Sequence, residues 1–512
     1  YWLGRVLGLS RHGAFLAGFV AAFAPVRFLR LEQFHVANTG FMPFTLAALH
    51  VYLRDGRPRD LRVAVACFVW QAIVSGHGGA MTLFAVIVVL LWHAAQGGAI
   101  DPMRRVRDLG WSGAALFVPV VLIFIPYRLA ARDIGLTRVF DDWTVNLVSF
   151  VSAPSQWDAR ALQWAAAQWP GVAWLHQDPD VYLFPGLAPI LLGAFALVAA
   201  ARAARRVDPL VYWRAAALGL NALVIAAGAL AAWVTFTGGF KLRLGDTLIT
   251  SHGATPWVQA AALAALRMLV ARKVPVRWFT MPRAGGAVWL YAVLFLLCVW
   301  LAVGPPLGLW GLINHLPGLT FIRVPSRFMV LGVLALGIVA GFGLDQLRRH
   351  RSAGFRLAAT LLPLLLLIEA VPFNMPGLDF DPTPPAIDRY VATRNDVGAL
   401  LEAPLSDSRG DAAREQRSTA FMLHSMAHWK PIFQGFSGAK PPTYETDYWT
   451  LTRFPDAAAI ATLRRLGISH VVWHADLVPE AERAVMDERL LAASHQLELV
   501  HAEGDGRLYR IR

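Results

Sequence analysis

Long apolar segments alternate with short polar ones along most of the chain. A membrane-spanning helix needs about 20 mostly apolar residues, or fewer when aromatic or arginine residues flank its ends. Eleven segments meet this description: 12–29, 37–53, 61–76, 79–95, 110–128, 183–201, 210–234, 256–271, 285–303, 326–346 and 355–372. The pattern predicts an all-α polytopic membrane bundle of about eleven transmembrane helices.

Arginine-rich loops recur at every second connection between these segments. They lie at 1–11, 54–61, 96–109, 202–209, 272–284 and 347–354. Because cytoplasmic loops carry an excess of Arg and Lys, we place these loops in the cytoplasm. The remaining connections, and everything after residue 372, are then expected on the opposite side. The weakest span, 256–271, is required for this alternation.

The sequence after Asn374 has the composition of a soluble domain. Residues 397–405 alternate like a strand, and 454–467 form a predicted helix with Asp456 near its start and Gly467 at its end. A buried strand, ISHVVWHAD, follows, and then a helix, PEAERAVMDERLLAASH, and a hairpin, LELVHAEGDGRLYRIR. We therefore predict a transmembrane region at 1–372 and a small α/β extracytoplasmic domain at 373–512.

Composition agrees with a membrane location. Hydrophobic residues make up 56% of the chain and charged residues 16%, whereas a soluble domain usually has about 25% charged residues. The net charge of +13 comes from short basic runs between apolar segments, so membrane lipid is a predicted partner and nucleic acid is not. Cys67 and Cys298 both fall within apolar segments, which argues against a disulfide framework.

The first predicted outer loop gathers charged residues. Arg27 and Arg30 are suited to an anionic head group, and Glu32 or His35 could exchange protons near neutral pH. A solvated interfacial turn with outward-reaching arginines is the alternative. In the next outer turn, SGHGG, His77 lies among glycines that would let a ligand approach, although a tight turn between helices explains the glycines equally well.

Two later loops carry further candidates. Lys241, Arg243 and His252 lie together in 238–256, where they suit a phosphate beside the lipid surface, or are neutralised by Asp246. The tryptophan-rich loop 129–182 is better explained by anchoring at the membrane interface than by stacking on sugar rings.

The most specific segment is LGLWGLINHLPGLTFIRVPSRF, at 307–328. Arg323 and Arg327 flank a proline at the mouth of the next span. Two guanidinium groups held there suit a lipid-linked phosphate or pyrophosphate, and a structural anchoring role is the alternative.

Nucleotide and metal motifs are missing from the sequence. It contains no phosphate-binding P-loop, dinucleotide-binding glycine fingerprint, paired-cysteine zinc motif or nucleophile elbow in a suitable context. We predict no cofactor and no metal ligands, while a requirement for a divalent metal stays open.

The order of these segments resembles large bacterial membrane proteins of the GT-C glycosyltransferase superfamily. The resemblance covers YWLGRVLGLSRHGAFLAGFVAAFAP, LFPGLAPILLGAFAL and LPGLTFIRVPSRFMVLGVLALGIVAGFGL, and later HWKPIFQGFSGAKPP and FPDAAAIATLRRLGISHVVWH. It implies transfer of a sugar from a polyprenyl-phosphate donor to an acceptor outside the cytoplasm, with an acidic base in the first outer loop. Since YWLGRVLGLS resembles the end of a helix in progress, we expect that loop upstream of Tyr1 and leave the catalytic residue unassigned.

Two other classes of function remain open. A transporter or flippase of lipid-linked glycans should show a path reaching both membrane faces, whereas an enzyme should have an outer cavity open to lipid. A non-catalytic membrane protein of the cell envelope is the third class. In all three, the expected location is the bacterial inner membrane, with many spans and an extracytoplasmic C-terminal domain.

Overall fold

A computed structural model describes the chain in segments. They are residues 1–28, 33–96, 102–133, 145, 147–151, 183–207, 210–237, 240–244, 247–251, 255–271, 286–303, 308–310, 322, 324–370, 381–406, 411–435 and 441–512. The chain divides into two compact units. The first comprises Tyr1–Ile125 and Arg138–Met375, and the second comprises Pro126–Thr137 and Pro376–Arg512.

Helices dominate the first unit. In order they are α1 (Trp2–Val6), α2 (Arg11–Phe23), α3 (Pro25–Phe28), α4 (Phe34–Ala37), α5 (Met42–Asp55), α6 (Pro58–Val74), α7 (Gly76–Ala95), α8 (Pro102–Asp133, whose end belongs to the second unit), α9 (Leu187–Val207), α10 (Val211–Thr237), α11 (Thr255–Ala271), α12 (Gly286–Ala302), α13 (Met329–Arg349) and α14 (Ala353–Ala370). A hairpin of β1 (Phe240–Leu244) and β2 (Thr247–Ser251) lies between α10 and α11.

Each predicted apolar segment overlaps a helix, but fewer helices than the eleven predicted are clear candidates for a membrane span. Within the described segments, three helices are long and apolar enough to cross a membrane: Gly76–Ala94, Leu187–Arg206 and Pro325–Arg349. A bent pair in α8 would make a fourth. Several other helices are too short. At about 1.5 Å per residue, the 13 residues of α2 extend only about 20 Å, against about 30 Å of hydrocarbon.

The helix α13 lies at the centre of the first unit. Residues on all its sides are buried, as expected for a helix that is apolar all round. It packs against α2, α9 and α12. A Cβ atom on Gly341 would lie 2.5 Å from the Gly13 carbonyl oxygen, so glycine is needed where α13 meets α2. The Ser10 N–H, just before α2, donates to Asp345 Oδ2 at 2.7 Å.

The second unit combines helices with a mixed sheet. Its elements are α15 (Ala386–Ala392), β3 (Ala399–Ala403), α16 (Asp411–His424), α17 (Tyr444–Leu451), α18 (Ala457–Arg465), β4 (Ile468–His474), α19 (Glu480–Ala492), β5 (Leu497–Glu503) and β6 (Gly506–Ile511). The strand order is β3-β4-β6-β5, with β3 parallel to β4 and the other pairs antiparallel.

The predicted strands, helices and hairpin of this unit are confirmed. Gly467 ends α18 with a φ of 70°, and Gly504 takes a φ of 58° in the β5–β6 turn, a region that favours glycine. Asp456 is the N-cap residue of α18, as its position near the start of the helix predicted. Its side chain accepts no hydrogen bond from the helix; instead Arg489 Nη2 donates to it at 2.7 Å.

The sheet is buried on both faces. Leu401, Val471 and Trp473 join one apolar cluster with residues of α17, α18 and α19. Leu400, Val472 and Leu508 join another, with Ile387 and Val391 of α15. Side chains of a strand alternate between the two faces of the sheet. Glu402 and His474 each lie two residues after Leu400 and Val472, so they face α15 as well.

Candidate functional site

A tight turn between α6 and α7 positions His77. The Ser75 hydroxyl oxygen accepts a hydrogen bond from the Gly78 N–H at 2.9 Å and so caps α7. A Cβ atom on Gly79 would lie 2.9 Å from Ala72 of the preceding helix, so a larger residue would force the helices apart. The glycines of SGHGG thus serve the turn, and His77 lies in the first turn of α7.

Arg327 is held at the start of the central helix. Pro325–Phe328 forms a single 3₁₀ turn that leads into α13. Phe328 is buried there, with its ring centroid 5.6 Å from that of Phe84 and 5.7 Å from that of Trp310. This aromatic packing fixes the backbone next to Arg327.

The structure brings two predicted site residues together. Arg327 Nη1 lies 2.7 Å from His77 Nε2. Because a guanidinium can only donate hydrogen bonds, the Nε2 atom must accept, and the hydrogen of the neutral imidazole is on Nδ1. The pair therefore holds the positive charge of Arg327 in a fixed orientation, and the Nδ1–H of His77 is a further donor. Such an arrangement suits an anion with several oxygens.

A cavity of about 770 Å³ lies in the same unit. Its wall is mostly apolar and includes Ala17, Ala21 and Ala22 of α2 and Val330 and Leu334 of α13. This volume falls within the usual range of small-molecule sites, about 300–1,000 Å³.

Arg27 is the charged side chain among the residues that line this cavity. Its Nη1 atom donates to Thr39 Oγ1 at 3.0 Å, and its Nη2 atom donates to the Ala37 carbonyl oxygen at 3.2 Å. These bonds hold the guanidinium at the wall of a mostly apolar cavity. A ligand with an anionic head group and an apolar tail could contact the guanidinium with its head group and the apolar wall with its tail.

Other predicted site residues are described only in part. His35 lies in the short helix α4, and Lys241 and Arg243 lie on the strand β1. Glu32, His252 and Arg323 lie outside the described residues. Their roles in substrate binding stay predictions.

The sequence analysis missed a buried polar cluster in the second unit. Asp388, Glu402 and His474 come from α15, β3 and β4, and they lie close together beneath α15. The sequence did hold a sign of this cluster, because Glu402 and His474 are ionisable residues within two strands that are otherwise mostly apolar. Strand alternation could not show which residue of a distant helix would meet them.

Burial and mutual contact shift the pKa values of the three groups in this cluster. Burial, and then the negative charge of Glu402, raises the pKa of Asp388 to about 7. Burial also opposes ionisation of Glu402, but the hydrogen bond from His474 and the nearby imidazole of His428 outweigh it and lower its pKa. Burial would lower the pKa of His474, yet its hydrogen bond to Glu402 raises it. Glu402 and His474 thus behave as an ion pair.

Comparison with protein-family models, with curated proteins and with solved structures finds no match to this chain.

Proposed function

We propose that this protein is a membrane glycosyltransferase of the GT-C type, which transfers a sugar from a polyprenyl-phosphate donor to an acceptor outside the cytoplasm. The observation that carries the proposal is the cavity of about 770 Å³, which is lined mostly by apolar residues and by Arg27. An apolar wall suits a prenyl chain, and a guanidinium suits the phosphate that the chain carries.

The reaction would proceed by displacement at the sugar. The acceptor hydroxyl oxygen forms a bond to the anomeric carbon, while the bond from that carbon to the phosphate oxygen breaks. The polyprenyl phosphate leaves with the electron pair, and the hydroxyl proton passes to a general base.

The negative charge that develops on the leaving phosphate needs stabilisation. Arg327 can supply it through its guanidinium, and His77 orients Arg327 through the 2.7 Å contact. Arg323 is proposed to act beside them, as expected for two arginines that flank Pro325. His35, Glu32, Lys241, Arg243 and His252 are proposed as further substrate contacts, on the strength of their positions in the sequence.

Binding of a polyprenyl phosphate tests this proposal. In detergent-purified protein, Arg27→Gln should weaken binding of the phosphate by roughly tenfold but leave binding of the matching polyprenol unchanged, since one charge-assisted hydrogen bond is worth about 1.5–3 kcal/mol. Ala22→Trp should weaken binding of both lipids because it fills the cavity. Ala194→Trp, at an exposed position of α9, is the matched control and should bind as the wild type does.

A turnover assay separates the three classes of function. Release of polyprenyl phosphate from its sugar conjugate, dependent on an acceptor, is the result expected of the enzyme. Movement of intact lipid across a liposome membrane without release would indicate a transporter or flippase. A third outcome would refute the proposal and indicate a non-catalytic envelope protein. In it, polyprenyl phosphate is neither released nor moved, and lipid binding is unchanged in the Arg27→Gln and Ala22→Trp variants.

We further propose a topology with the C-terminal domain outside the cytoplasm of a bacterial inner membrane, in which the shorter apolar helices α12 and α14 also cross the membrane. Cysteines placed at Arg206 and Arg349 should resist a membrane-impermeant thiol reagent in intact cells, whereas a cysteine at Asp505 should react. All three positions are exposed on the protein, so protection would come from the membrane. The background should lack Cys67 and Cys298. The opposite labelling pattern would reverse the proposed orientation.

A further inference from the structure

Two carboxylates and one imidazole form a buried cluster in the second unit. Asp388, Glu402 and His474 expose 1%, 1% and 5% of their surfaces. One ligand atom from each lies within 4.8 Å of the ligand atoms of the other two. Two carboxylates and an imidazole at this distance and depth are unusual in a protein interior, because each buried charge must be compensated.

The fold places these three groups by independent means. Glu402 and His474 lie on adjacent parallel strands, β3 and β4, where Glu402 is in register with Val472. Strand alternation directs residues 402 and 474 to one face. The helix α15 covers that face through Ile387 and Val391, and Asp388 belongs to the same helix. The Phe421 ring stacks on His474 with centroids 5.2 Å apart, so α16 closes the cluster.

Hydrogen bonding leaves part of the cluster unsatisfied. His474 Nε2 lies 2.7 Å from Glu402 Oε2, which pairs one carboxylate. Among the described residues, Asp388 Oδ1 is buried and has no hydrogen-bond partner. A buried, unpartnered carboxylate oxygen beside a second carboxylate is costly unless the group stays protonated or a cation compensates its charge.

A second buried histidine lies beside Glu402. The fully buried His428 side chain places Nε2 3.8 Å from Glu402 Oε1. Its Nδ1 atom accepts a hydrogen bond from the Lys430 N–H at 2.9 Å, so in the neutral ring the hydrogen is on Nε2 and faces Glu402. His428 is therefore a positioning residue, not a ligand. Outer partners of this kind commonly orient metal-bound carboxylates.

We propose that Asp388, Glu402 and His474 together bind a divalent transition-metal ion of the zinc class, which ties α15 to β3 and β4. Two carboxylates balance the charge of the dication, and the imidazole of His474 supplies a nitrogen ligand once metal binding displaces the proton that it shares with Glu402. Oxygen and nitrogen ligands lie about 2.0–2.2 Å from zinc and thus about 3.3 Å from one another in a tetrahedral site. The observed separations, all within 4.8 Å, need only small side-chain adjustments to reach this geometry. A water would complete a site with three protein ligands.

Zinc content of the full-length protein tests the site. The protein is purified with a tag free of histidine, stripped with a chelator and equilibrated with buffered zinc. We expect about one zinc ion per wild-type chain. Asp388→Asn, which keeps the shape of the side chain, and His474→Gln, which keeps a polar side chain there, should each hold zinc at least about tenfold more weakly. The matched controls Asp505→Asn and His495→Gln change exposed residues of the same unit and should bind as the wild type does.

A second measurement needs no variant, so a folding defect cannot mask the answer. Removing zinc from the wild type should speed amide hydrogen exchange in α15, β3 and β4 by several-fold or more, and restoring zinc should reverse the effect. Each of three results would overturn the proposed site. The wild type could retain no zinc, the ligand variants could retain as much zinc as the wild type, or the rate of amide exchange could be the same with and without zinc. These measurements use no lipid or sugar, so their failure would leave the proposed glycosyl transfer untouched.

Discussion

Replacing Arg327 with alanine is expected to raise the donor concentration needed for half-maximal turnover by roughly ten- to a hundredfold. Each charge-assisted hydrogen bond to a phosphate contributes about 1.5–3 kcal/mol, which corresponds to this range. The 3₁₀ turn Pro325–Phe328 fixes the backbone of Arg327, and His77 Nε2 accepts from its Nη1 atom at 2.7 Å. The guanidinium is therefore oriented before the donor binds. Turnover measured against donor concentration is the direct test.

Two further variants sharpen this prediction. Arg327→Lys should recover only part of the lost activity, since an ammonium cannot reproduce a planar fork of donors. Arg348→Ala, at an exposed position near the other end of the same helix, is the matched control and should retain the wild-type donor dependence. If Arg327→Ala inserts normally and keeps that dependence as well, Arg327 merely anchors α13.

Replacing Trp473 with alanine should destabilise the second unit by about 3–5 kcal/mol, the usual cost of removing a large buried aromatic side chain. Trp473 is 1% exposed in the central strand β4 and packs in the cluster beneath α17, α18 and α19. Its ring centroid lies 6.1 Å from that of Phe454. Amide hydrogen exchange in β4 and β6 of the full-length protein measures the loss as a lower free energy of opening.

A surface tryptophan in the same unit provides the comparison. Trp429 is 79% exposed, so Trp429→Ala should change the opening free energy by no more than about 0.5 kcal/mol. Similar exchange in the Trp473 and Trp429 variants would show that the interior around Trp473 repacks and that the sheet does not depend on this side chain.

Local pattern predicted the apolar helices of the first unit and most of the sheet of the second, but it did not predict the hairpin of β1 and β2 or the helices α15, α16 and α17. The apolar segments form helices because a helix satisfies its own backbone hydrogen bonds away from water. The strands and hairpin of the second unit followed from alternation and from Gly467 and Gly504. The same pattern overcounted the membrane spans. Apolar composition shows that a segment avoids water, but helix length and the surfaces left exposed depend on the neighbouring helices.

Chemistry was harder to predict, because it depends on contacts between distant parts of the chain. The sequence selected His77 and Arg327 separately, from a glycine-rich turn and a proline-flanked arginine. Only the tertiary structure placed their nitrogen atoms 2.7 Å apart across a separation of 250 residues. The cluster of Asp388, Glu402 and His474 was not predicted at all. Periodicity assigns a side chain to a face, whereas the packing of helices and strands decides which residues share that face.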